Sequence, residues 1–433
     1  MFLFDIIQRT YTAIFPPTAS KNDDAIRIGL LGASKIAPVV VVNPAKSHPD
    51  VIVAAVAARD SERAKQYAKT HGIPIVHSSY QALVNDPSID AIYVALPNGL
   101  HYEWALRSIR AGKHVLIEKP SCSNAIEARK LFNHPLVTAQ NAPVLLEAFH
   151  YQFHPAWQTF LSEVRRFPGA IKDVYAGFFL PAGIVGVDDI RFQYSLAGGC
   201  MMDVGTYPLS CVRQIIGREA ILEPIDVKYR GIAHGSDGKS ESLQIDEAIE
   251  AKYRTADSIN VHISGDEMTK GGRPSFLPAS WTRNMPSLRW PKSSVTFEPV
   301  LVDTLVRENK SPLQHFVQRT VTLWNPIIPT FYHRIDICDQ HTLRQENDIA
   351  KTWSETNYKT AYNWPEGDKR ASIYQDWWTT YRCQLEEFVN RVKGREGSGV
   401  WVDGAESIAQ MEAIDRTYKK AGLKLRPTST FEL

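Results

Sequence analysis

A lysine and a carboxylate stand where an apolar segment of the chain ends. Residues Glu118-Lys119-Pro120 follow the run His114–Ile117, which has the composition of a buried parallel strand. A lysine just past the carboxyl end of such a strand points into the crevice in which open α/β sheets bind ligands. The tripeptide therefore predicts a cationic hydrogen-bond donor at a ligand site. A solvated Lys-Pro turn at a strand end is the alternative.

A second group able to move a proton lies farther along the chain, in the segment GGCMMDVGTY. The sequence predicts a helix over Met201–Ile216, on which Asp203 and Tyr207 are one turn apart and share a face. A carboxylate beside a phenol forms a hydrogen-bonded pair suited to acid–base chemistry. Aspartate has a poor helix propensity, which points to a role beyond local structure. An Asp–Tyr pair that only braces a helix is the alternative.

The segment EAFHYQFHP, residues 147–155, concentrates aromatic and histidine side chains at a predicted domain junction. We expect His150 and Tyr151 to line a substrate pocket through hydrogen bonds and ring stacking. Packing between domains is the alternative. His150 and His154 are four residues apart, but no third ligand accompanies them, so the sequence predicts no metal site.

The segment GLLGASKIA, residues 29–37, follows the first predicted strand and opens a helix. This is the context of a dinucleotide-binding turn, where glycine lets backbone N–H groups approach pyrophosphate and the helix N-terminus adds positive potential. Serine replaces the second glycine of the usual G-x-G-x-x-A pattern, and an ordinary strand–helix turn is the alternative. The residues of this turn that we expect at the cofactor are Gly32, Ser34, Lys35 and Ile36.

The end of the second predicted strand bears on which dinucleotide binds. Sites that prefer NAD place an acidic residue there to bind the ribose hydroxyl, whereas Arg59 follows this strand. The planar guanidinium of arginine matches a 2′-phosphate, so the sequence favours NADP, with NAD still possible. Arg63 is expected to stack on adenine. Asp60 as a ribose ligand and a solvated Arg59 are the alternatives.

Residues after the fourth and fifth predicted strands complete the expected cofactor site. The segment LPNGLH, residues 96–101, follows the fourth strand, and Asn98 is predicted to cap the next helix at the mouth of the crevice. A plain capping role would account for that residue alone. The cofactor-binding residues expected here are Leu96, Asn98, His101, Glu118 and Lys119.

The order of the elements predicts how these residues are positioned. Residues 26–148 alternate strand and helix patterns, which predicts right-handed βαβ crossovers and a doubly wound parallel sheet. After Pro155 the apolar residues alternate in short runs, which predicts an α/β domain with a large, mostly antiparallel open sheet. A long loop is predicted at 266–291. Two closing helices are predicted at Ser372–Val392 and Ala405–Ala421.

These patterns divide the chain into four predicted parts. They are an N-terminal arm at 1–24, a dinucleotide-binding domain at 25–150, a substrate and oligomerisation domain at 151–400, and a C-terminal helix and tail at 401–433 that pack back on the body. The arm carries apolar residues at roughly helical spacing. We expect it to dock on the body, with a helix on a membrane surface as the alternative.

Composition narrows the class of protein. The 433 residues include 49 basic and 47 acidic side chains without a basic block, which argues against nucleic acid as the main partner. The cysteines are odd in number, widely spaced and lack a CxxC pair, which fits reduced thiols in the cytoplasm. No apolar run approaches the ~20 residues that a membrane span needs. These cysteines are Cys122, Cys200, Cys211, Cys338 and Cys383.

Taken together, the motifs resemble the glucose–fructose oxidoreductase, inositol dehydrogenase and MocA (Gfo/Idh/MocA) family. The resemblance covers about residues 25–230 and rests on GLLGASKIA, AARDSERA, YVALPNGLHYEWALRSIRAGKHVLIEKP and LAGGCMMDVGTYP. The AARD segment looks most like NADP-dependent D-xylose 1-dehydrogenases and dimeric dihydrodiol dehydrogenases, and PNGLH looks more like glucose–fructose oxidoreductase. Departures are the serine in the glycine-rich turn, the apolar arm and a Trp-rich insertion near 276–291.

The resemblance implies a Rossmann domain followed by an α/β domain whose open sheet forms one side of the substrate pocket. It implies that Lys119 lies near the reacting hydroxyl, followed by Asp203 and Tyr207 as a pair; many members have histidine in place of Tyr207. It also implies a homo-oligomer, which we expect to be a dimer formed through the open sheet face.

We therefore expect an NADP-dependent oxidoreductase that moves hydride between nicotinamide and a carbinol carbon of a small sugar or polyol. Lys119 would bind the reacting oxygen and lower the pKa of Tyr207, and Asp203 would orient the substrate or the lysine. Either Lys119 or Tyr207 could carry the proton. The alternatives are a reductase or dehydrogenase of a trans-dihydrodiol or secondary metabolite, and a non-catalytic NADP-binding sensor.

Overall fold

The computed structural model of the protein describes residues 2–186, 188–232, 244–271, 282, 285–307, 310–346 and 348–433. Within these ranges, no helix combines the length and apolar character needed to cross a membrane. Most of the Trp-rich insertion predicted near 276–291 lies outside the described residues, since 276–281 and 283–284 are not among them.

Six parallel strands form the first sheet, in the order β3-β2-β1-β4-β5-β6. This confirms the predicted doubly wound sheet. Its central strands are continuous apolar runs because both of their faces are covered. The order reverses between β1 and β4, and the carboxyl ends of the strands open a crevice there. In chain order the strands are β1 Ile26–Leu31, β2 Val51–Ala57, β3 Ile75–His77, β4 Ala91–Val94, β5 His114–Ile117 and β6 Leu145–Glu147.

Local sequence fixes where the helices around this sheet begin and end. The side chain of Asp60 accepts a hydrogen bond from the Arg63 backbone N–H and caps one helix, which ends at Gly72 with φ 66°; only glycine adopts that backbone conformation without strain. A π-helical turn, Pro38–Val42, follows β1. The helices are α1 Phe2–Ile14, α2 Asn43–Lys46, α3 Ser61–His71, α4 Tyr80–Val84, α5 His101–Arg110, α6 Ala125–Phe132 and α7 Pro135–Thr138.

The second sheet contains nine strands, and all of its pairs are antiparallel except β7 with β10. This confirms the predicted mostly antiparallel sheet. The loop predicted at 266–291 is wrong at its start, because β10 continues to Thr269. The strands are β7 Ile171–Pro181, β8 Glu223–Gly231, β9 Asp246–Arg254, β10 Asn260–Thr269, β11 Lys292–Phe297, β12 Val300–Arg307, β13 Lys310–Trp324, β14 Arg334–Gln345 and β15 Asp348–Lys359.

One face of the second sheet packs against helices and the other is open. Along β10, alternate residues are buried, as the two-residue period of a strand requires. The buried face contacts α9, which lies against β7 and β10. Helices of this half are α8 Pro155–Arg166, α9 Thr206–Ile216, α10 Thr380–Val392 and α11 Gly404–Lys420.

The two ends of the chain are attached through buried arginines. Arg9 of α1 donates a 2.9 Å hydrogen bond to the Thr330 carbonyl, and its guanidinium lies 3.4 Å from the centre of the Tyr362 ring. Arg426 of the tail forms a fully buried 2.7 Å ion pair with Asp246 of β9. Both contacts join the chain ends to the second sheet or its connecting loops, while the division into four parts stays a prediction.

Candidate active site

Lys119 and Asp203 form an ion pair in the crevice between the two sheets. The apolar strand β5 carries Lys119 to the crevice, where its Nζ lies 2.6 Å from Oδ1 of Asp203 and 3.1 Å from the Asp203 carbonyl. Burial alone would raise the pKa of Asp203, but the charges of Lys119 and Arg191 outweigh burial and lower it to about 2. Asp203 is therefore a carboxylate that holds the lysine in one place.

Arg191 is a member of the site that the sequence analysis missed. Its Nε donates to Oδ2 of Asp203 at 2.6 Å, and its Nη1 donates to Oδ1 of Asp189 at 2.9 Å. The four side chains of Lys119, Asp203, Arg191 and Asp189 thus alternate in charge along one line. The only local feature of the sequence that relates to Arg191 is Asp189, whose side chain caps the 3-10 turn that carries this arginine. Such a cap does not distinguish Arg191 from other arginines in loops.

Tyr207 lies on the other side of Lys119. The Lys119 Nζ is 4.6 Å from the centre of the phenol ring, and the phenol oxygen is 2.9 Å from Nε2 of His150. Nδ1 of His150 in turn lies 2.7 Å from Oγ1 of Thr380. Burial and the charge of Lys119 hold the pKa of His150 well below its usual range. The neutral imidazole therefore fixes the phenol oxygen relative to α10.

Tyr381 of α10 completes the wall around this histidine, and sequence reasoning missed it. Its ring lies 4.0 Å from that of His150, centre to centre. Tyr151, expected in the substrate pocket, is fully buried instead, and its hydroxyl lies 2.9 Å from Oγ of Ser210. Tyr151 therefore supports α9 and the Tyr207 ring, which is 6.3 Å away, and does not extend the cluster around Lys119.

Lys119 is expected to lower the pKa of Tyr207, but the net shift of that pKa is upward. Burial raises the pKa of Tyr207 well above 10, and the neighbouring Tyr381, Glu118 and Asp203 act in the same direction. The Lys119 ammonium group lies 4.6 Å from the centre of the ring, and the Asp203 carboxylate neutralises much of its charge. Tyr207 consequently keeps its proton at neutral pH.

The predicted helical arrangement of Asp203 and Tyr207 is also wrong. A 3-10 turn covers Cys200–Met202, α9 begins only at Thr206, and Asp203 lies between them with φ −109° and ψ −79°. The two side chains meet because both face Lys119, and they do not share one helix face. The preceding glycine, Gly199, has φ 128°, a backbone conformation that L residues rarely adopt.

The glycine-rich turn has the shape of a phosphate cradle. Gly32 has φ 98°, and a Cβ at this position would lie 3.0 Å from the Ala95 carbonyl oxygen. Ser34 Oγ accepts a hydrogen bond from the Ala37 backbone N–H at 3.1 Å, while Lys35 and Ile36 are exposed. The turn can therefore bring backbone close to a dinucleotide, as its sequence predicts.

Helix α3 holds this turn in place. Arg63 Nη2 donates to the Ala33 carbonyl at 2.9 Å, and the Tyr67 hydroxyl donates to the Ser34 carbonyl at 3.0 Å. Arg63, expected to stack on adenine, is thus engaged with the turn itself. Arg59 lies exposed after β2, and among the described residues its guanidinium joins no ion pair.

Residues after β4 and β5 tie the two halves of the site together. The prediction that Asn98 caps the next helix, α5, is wrong, because Leu100 is at the N-cap position. The Nδ2 of Asn98 instead donates to the Ala197 carbonyl at 3.1 Å, across the crevice. The buried His101 ring lies 2.8 Å from both the Leu96 and Pro120 carbonyls, and burial lowers its pKa to about 4. His101 therefore joins two strand ends, and its contact with a cofactor stays a prediction.

The carboxyl group of Glu118 lies between the backbone of Lys119, whose N–H is 3.3 Å from Oε2, and the Tyr93 hydroxyl. Its Oε1 accepts a 2.6 Å hydrogen bond from the Tyr93 hydroxyl, and burial raises the pKa of its carboxyl group. Leu96 is 7% exposed and packs in the core of the first domain. Within the described ranges, no three His, Cys, Asp or Glu side chains lie close enough together to hold a metal ion.

A family described as "Oxidoreductase family, NAD-binding Rossmann fold" (Gfo/Idh/MocA) matches residues 26–140. Among curated proteins, the chain is 41% identical over 192 residues to D-xylose 1-dehydrogenase (NADP(+)) 2 of Haloferax volcanii, covering 44% of this chain and 57% of that one. It is 35% identical over 206 residues to trans-1,2-dihydrobenzene-1,2-diol dehydrogenase of Xenopus laevis, covering 47% and 58%. These matches span little more than half the length of each relative.

Among solved structures, the chain is similar to KijD10, a 3-ketoreductase from Actinomadura kijaniata, in complex with NADP and TDP-benzene. The TM-score is 0.62 at 22% identity, over 92% of this chain and 98% of that chain. A likeness at this identity shows the fold. The predicted resemblance to the Gfo/Idh/MocA oxidoreductases is confirmed by the family match and these relatives.

Proposed function

We propose, from the premise that residues 26–140 belong to the Gfo/Idh/MocA oxidoreductases, that this protein is an NADP-dependent oxidoreductase of a sugar or polyol. The observation that carries the proposal is the meeting of Lys119, Asp203 and Tyr207 at the carboxyl end of β5. Lys119 lies at the carboxyl edge of the first sheet, which also carries the cradle at Gly32, and the proposed substrate space lies at this edge. A carbinol or carbonyl oxygen in that space would be within reach of two proton-bearing groups.

The residues present fit a nicotinamide dinucleotide. The backbone at Gly32 leaves no room for a side chain near Ala95, which suits close approach of pyrophosphate. The exposed guanidinium of Arg59 would hold a 2′-phosphate. The relative from Haloferax volcanii is named as using NADP(+), which supports the same cofactor here. When bound, the nicotinamide ring supplies or accepts the hydride.

The chain's own task is to orient the substrate and handle the proton. Lys119, fixed by Asp203, donates a hydrogen bond to the reacting oxygen and stabilises its developing negative charge. Tyr207 keeps its proton at neutral pH because burial raises its pKa, so it is ready to donate that proton to an alkoxide oxygen. His150 holds the phenol oxygen at 2.9 Å.

The charges of the site favour a neutral, hydroxyl-rich substrate. Lys119 and Arg191 are balanced by Asp203 and Asp189, so these four side chains together present no net charge to an ionic substituent. Alternating donors and acceptors suit the hydroxyl groups of a sugar or polyol. The relative from Xenopus laevis favours a second candidate, a trans-dihydrodiol, which presents two adjacent hydroxyls on a less polar ring.

Hydride transfer can be followed through nicotinamide absorbance with NADP(H) and a panel of aldoses, keto-sugars, polyols and trans-dihydrodiols. We expect turnover with at least one class, loss of turnover in Lys119→Met, and wild-type turnover in the control Lys65→Met, whose lysine is 62% exposed on α3. Tight NADP binding without turnover on any panel member would contradict the proposed enzymatic function and favour a non-catalytic NADP-binding sensor.

A further inference from the structure

Glu267 is a fully buried carboxyl group next to the proposed site. The residue is 0% exposed, and neither Oε1 nor Oε2 has a hydrogen-bond partner among the residues that the structure describes. A buried polar group without a partner is costly, and native proteins retain few of them. The carboxyl group therefore needs an explanation that local packing does not give.

The strand β10 brings Glu267 beneath the loop that carries Asp203. Gly265, two residues before Glu267, is buried on the same face of β10, and a Cβ at Gly265 would lie 3.0 Å from Cα of Gly205. The pairing of β10 with β7 shifts register between Asp266 and Thr269, and such irregularities re-aim side chains beside active sites.

Charged groups from four elements face the Glu267 carboxyl. Asp203 comes from the loop before α9, Asp246 from β9, Arg191 from the 3-10 turn and Lys119 from the end of β5. Burial raises the pKa of Glu267 well above its usual range, the two aspartates add to this effect, and the two cations oppose it. Burial without a hydrogen-bond partner among the described residues thus disfavours the ionised form of this carboxyl group.

We propose that Glu267 is a positioning residue that keeps a proton beneath Asp203 and so leaves Asp203 as the partner of both Lys119 and Arg191. An ionised Glu267 would offer these two cations a competing carboxylate and draw them away from Asp203. A protonated Glu267 leaves the four alternating charges in balance. The inference rests on the proposed function, since it concerns where Lys119 stands when substrate reacts.

The kinetic test compares the pH dependence of kcat/KM in the wild type and in Glu267→Gln, an isosteric side chain that cannot ionise. We expect kcat at neutral pH within about threefold of wild type. We also expect the decline at alkaline pH to move upward by at least one pH unit or to vanish, with KM little changed. Glu250→Gln, on the open face of β9 and 48% exposed, is the matched control and should leave the profile unchanged.

Glu267→Met, which is apolar and similar in size, is the second variant in case Glu267→Gln folds poorly, and it should show the same change in the pH profile. An active Glu267→Gln enzyme with an unchanged alkaline limb would overturn the proposal. A loss of most activity at neutral pH in both folded variants would do so as well, because it would assign the ionised form to the working enzyme.

A spectroscopic test keeps this inference separable from the proposed function. The infrared difference spectrum of wild type minus Glu267→Gln, measured on the full chain with NADP, should contain the C=O stretch of a protonated carboxyl at neutral pH. Only carboxylate bands in that spectrum would overturn the proposal even if no substrate is found. A protonated band in a protein without turnover on any substrate would leave the proton on Glu267 and refute the enzymatic function.

Discussion

Asp246 of β9 and Arg426 of the C-terminal tail form a fully buried ion pair around Gly199. Oδ1 of Asp246 lies 2.7 Å from Nη2 of Arg426, and a Cβ at Gly199 would overlap both atoms. Arg426 also donates to the Gly198 carbonyl, and Oδ2 of Asp246 accepts from the Met201 backbone N–H at 2.7 Å. The tail thereby fixes the turn that leads to Asp203.

We predict that Asp246→Asn lowers the free energy of unfolding by about 3–5 kcal/mol, because it leaves the Arg426 charge buried without a partner. Guanidinium chloride unfolding at pH 7 would measure it. Glu247→Gln, at the next position on the open face and paired with Arg230, is the control and should cost less than about 1 kcal/mol. Equal losses in the two variants would contradict a special role for the buried pair.

Substitution at Arg59 should separate the two dinucleotides. We predict that Arg59→Ala weakens NADP binding about 10- to 100-fold, since charge-assisted hydrogen bonds to phosphate contribute about 1.5–3 kcal/mol. NAD binding should hardly change. Arg63→Ala should weaken both cofactors, because Arg63 holds the glycine-rich turn. Calorimetric titration with both dinucleotides measures their dissociation constants. Equal dissociation constants for NADP and NAD in the wild type would contradict the predicted preference for NADP.

Lys119 should be the residue whose loss costs the most rate. Lys119→Met removes the donor at the reacting oxygen, and we predict a fall in kcat of roughly 10²–10³ with cofactor affinity little changed. Tyr207→Phe should lose a comparable rate if the phenol carries the proton, and much less if Lys119 does. The pH profile of the Phe variant assigns the proton. Near wild-type turnover in Lys119→Met would show that the site is misassigned.

The fold could be predicted from the sequence where the signal is local, and there the sequence also indicates where candidate site residues lie. Gly32 is the first residue after the apolar strand β1 and Lys119 is the second after β5, so the pattern of the strands places both at the carboxyl edge of the first sheet. Strand β15 is almost wholly exposed and its sequence does not alternate, so no pattern indicates it. Arg191 and Glu267 reach the site only through packing between distant segments, which a single sequence does not encode locally.

Buried histidine should make the protein less stable in acid. Burial and the charge of Lys119 hold the pKa of His150 well below 6.5. Below pH 6.5 the unfolded chain therefore binds a proton on this residue, whereas the folded protein does not, and the native state loses stability relative to the unfolded state. Between pH 7.5 and 5.5 this residue should therefore cost about 1 kcal/mol of stability. Urea unfolding of wild type and His150→Gln at both values measures it; equal pH dependence in the two proteins would refute it.

The open face of the second sheet should join two copies of the chain. Ile349 and Tyr358 on β15 are each 61% exposed, so covering this face removes apolar surface from water. We predict a homodimer, and sedimentation of a stable 48.7 kDa particle at micromolar concentration would refute it.

The alternation of charge along Lys119, Asp203, Arg191 and Asp189 also governs how a substrate finds the crevice. Two cations and two anions in contact largely cancel within a few ångströms, so little field extends beyond the ~8 Å over which physiological salt screens. Encounter with a neutral sugar would then proceed by unassisted diffusion. The value of kcat/KM should be nearly independent of ionic strength, unlike that of enzymes that steer charged substrates electrostatically.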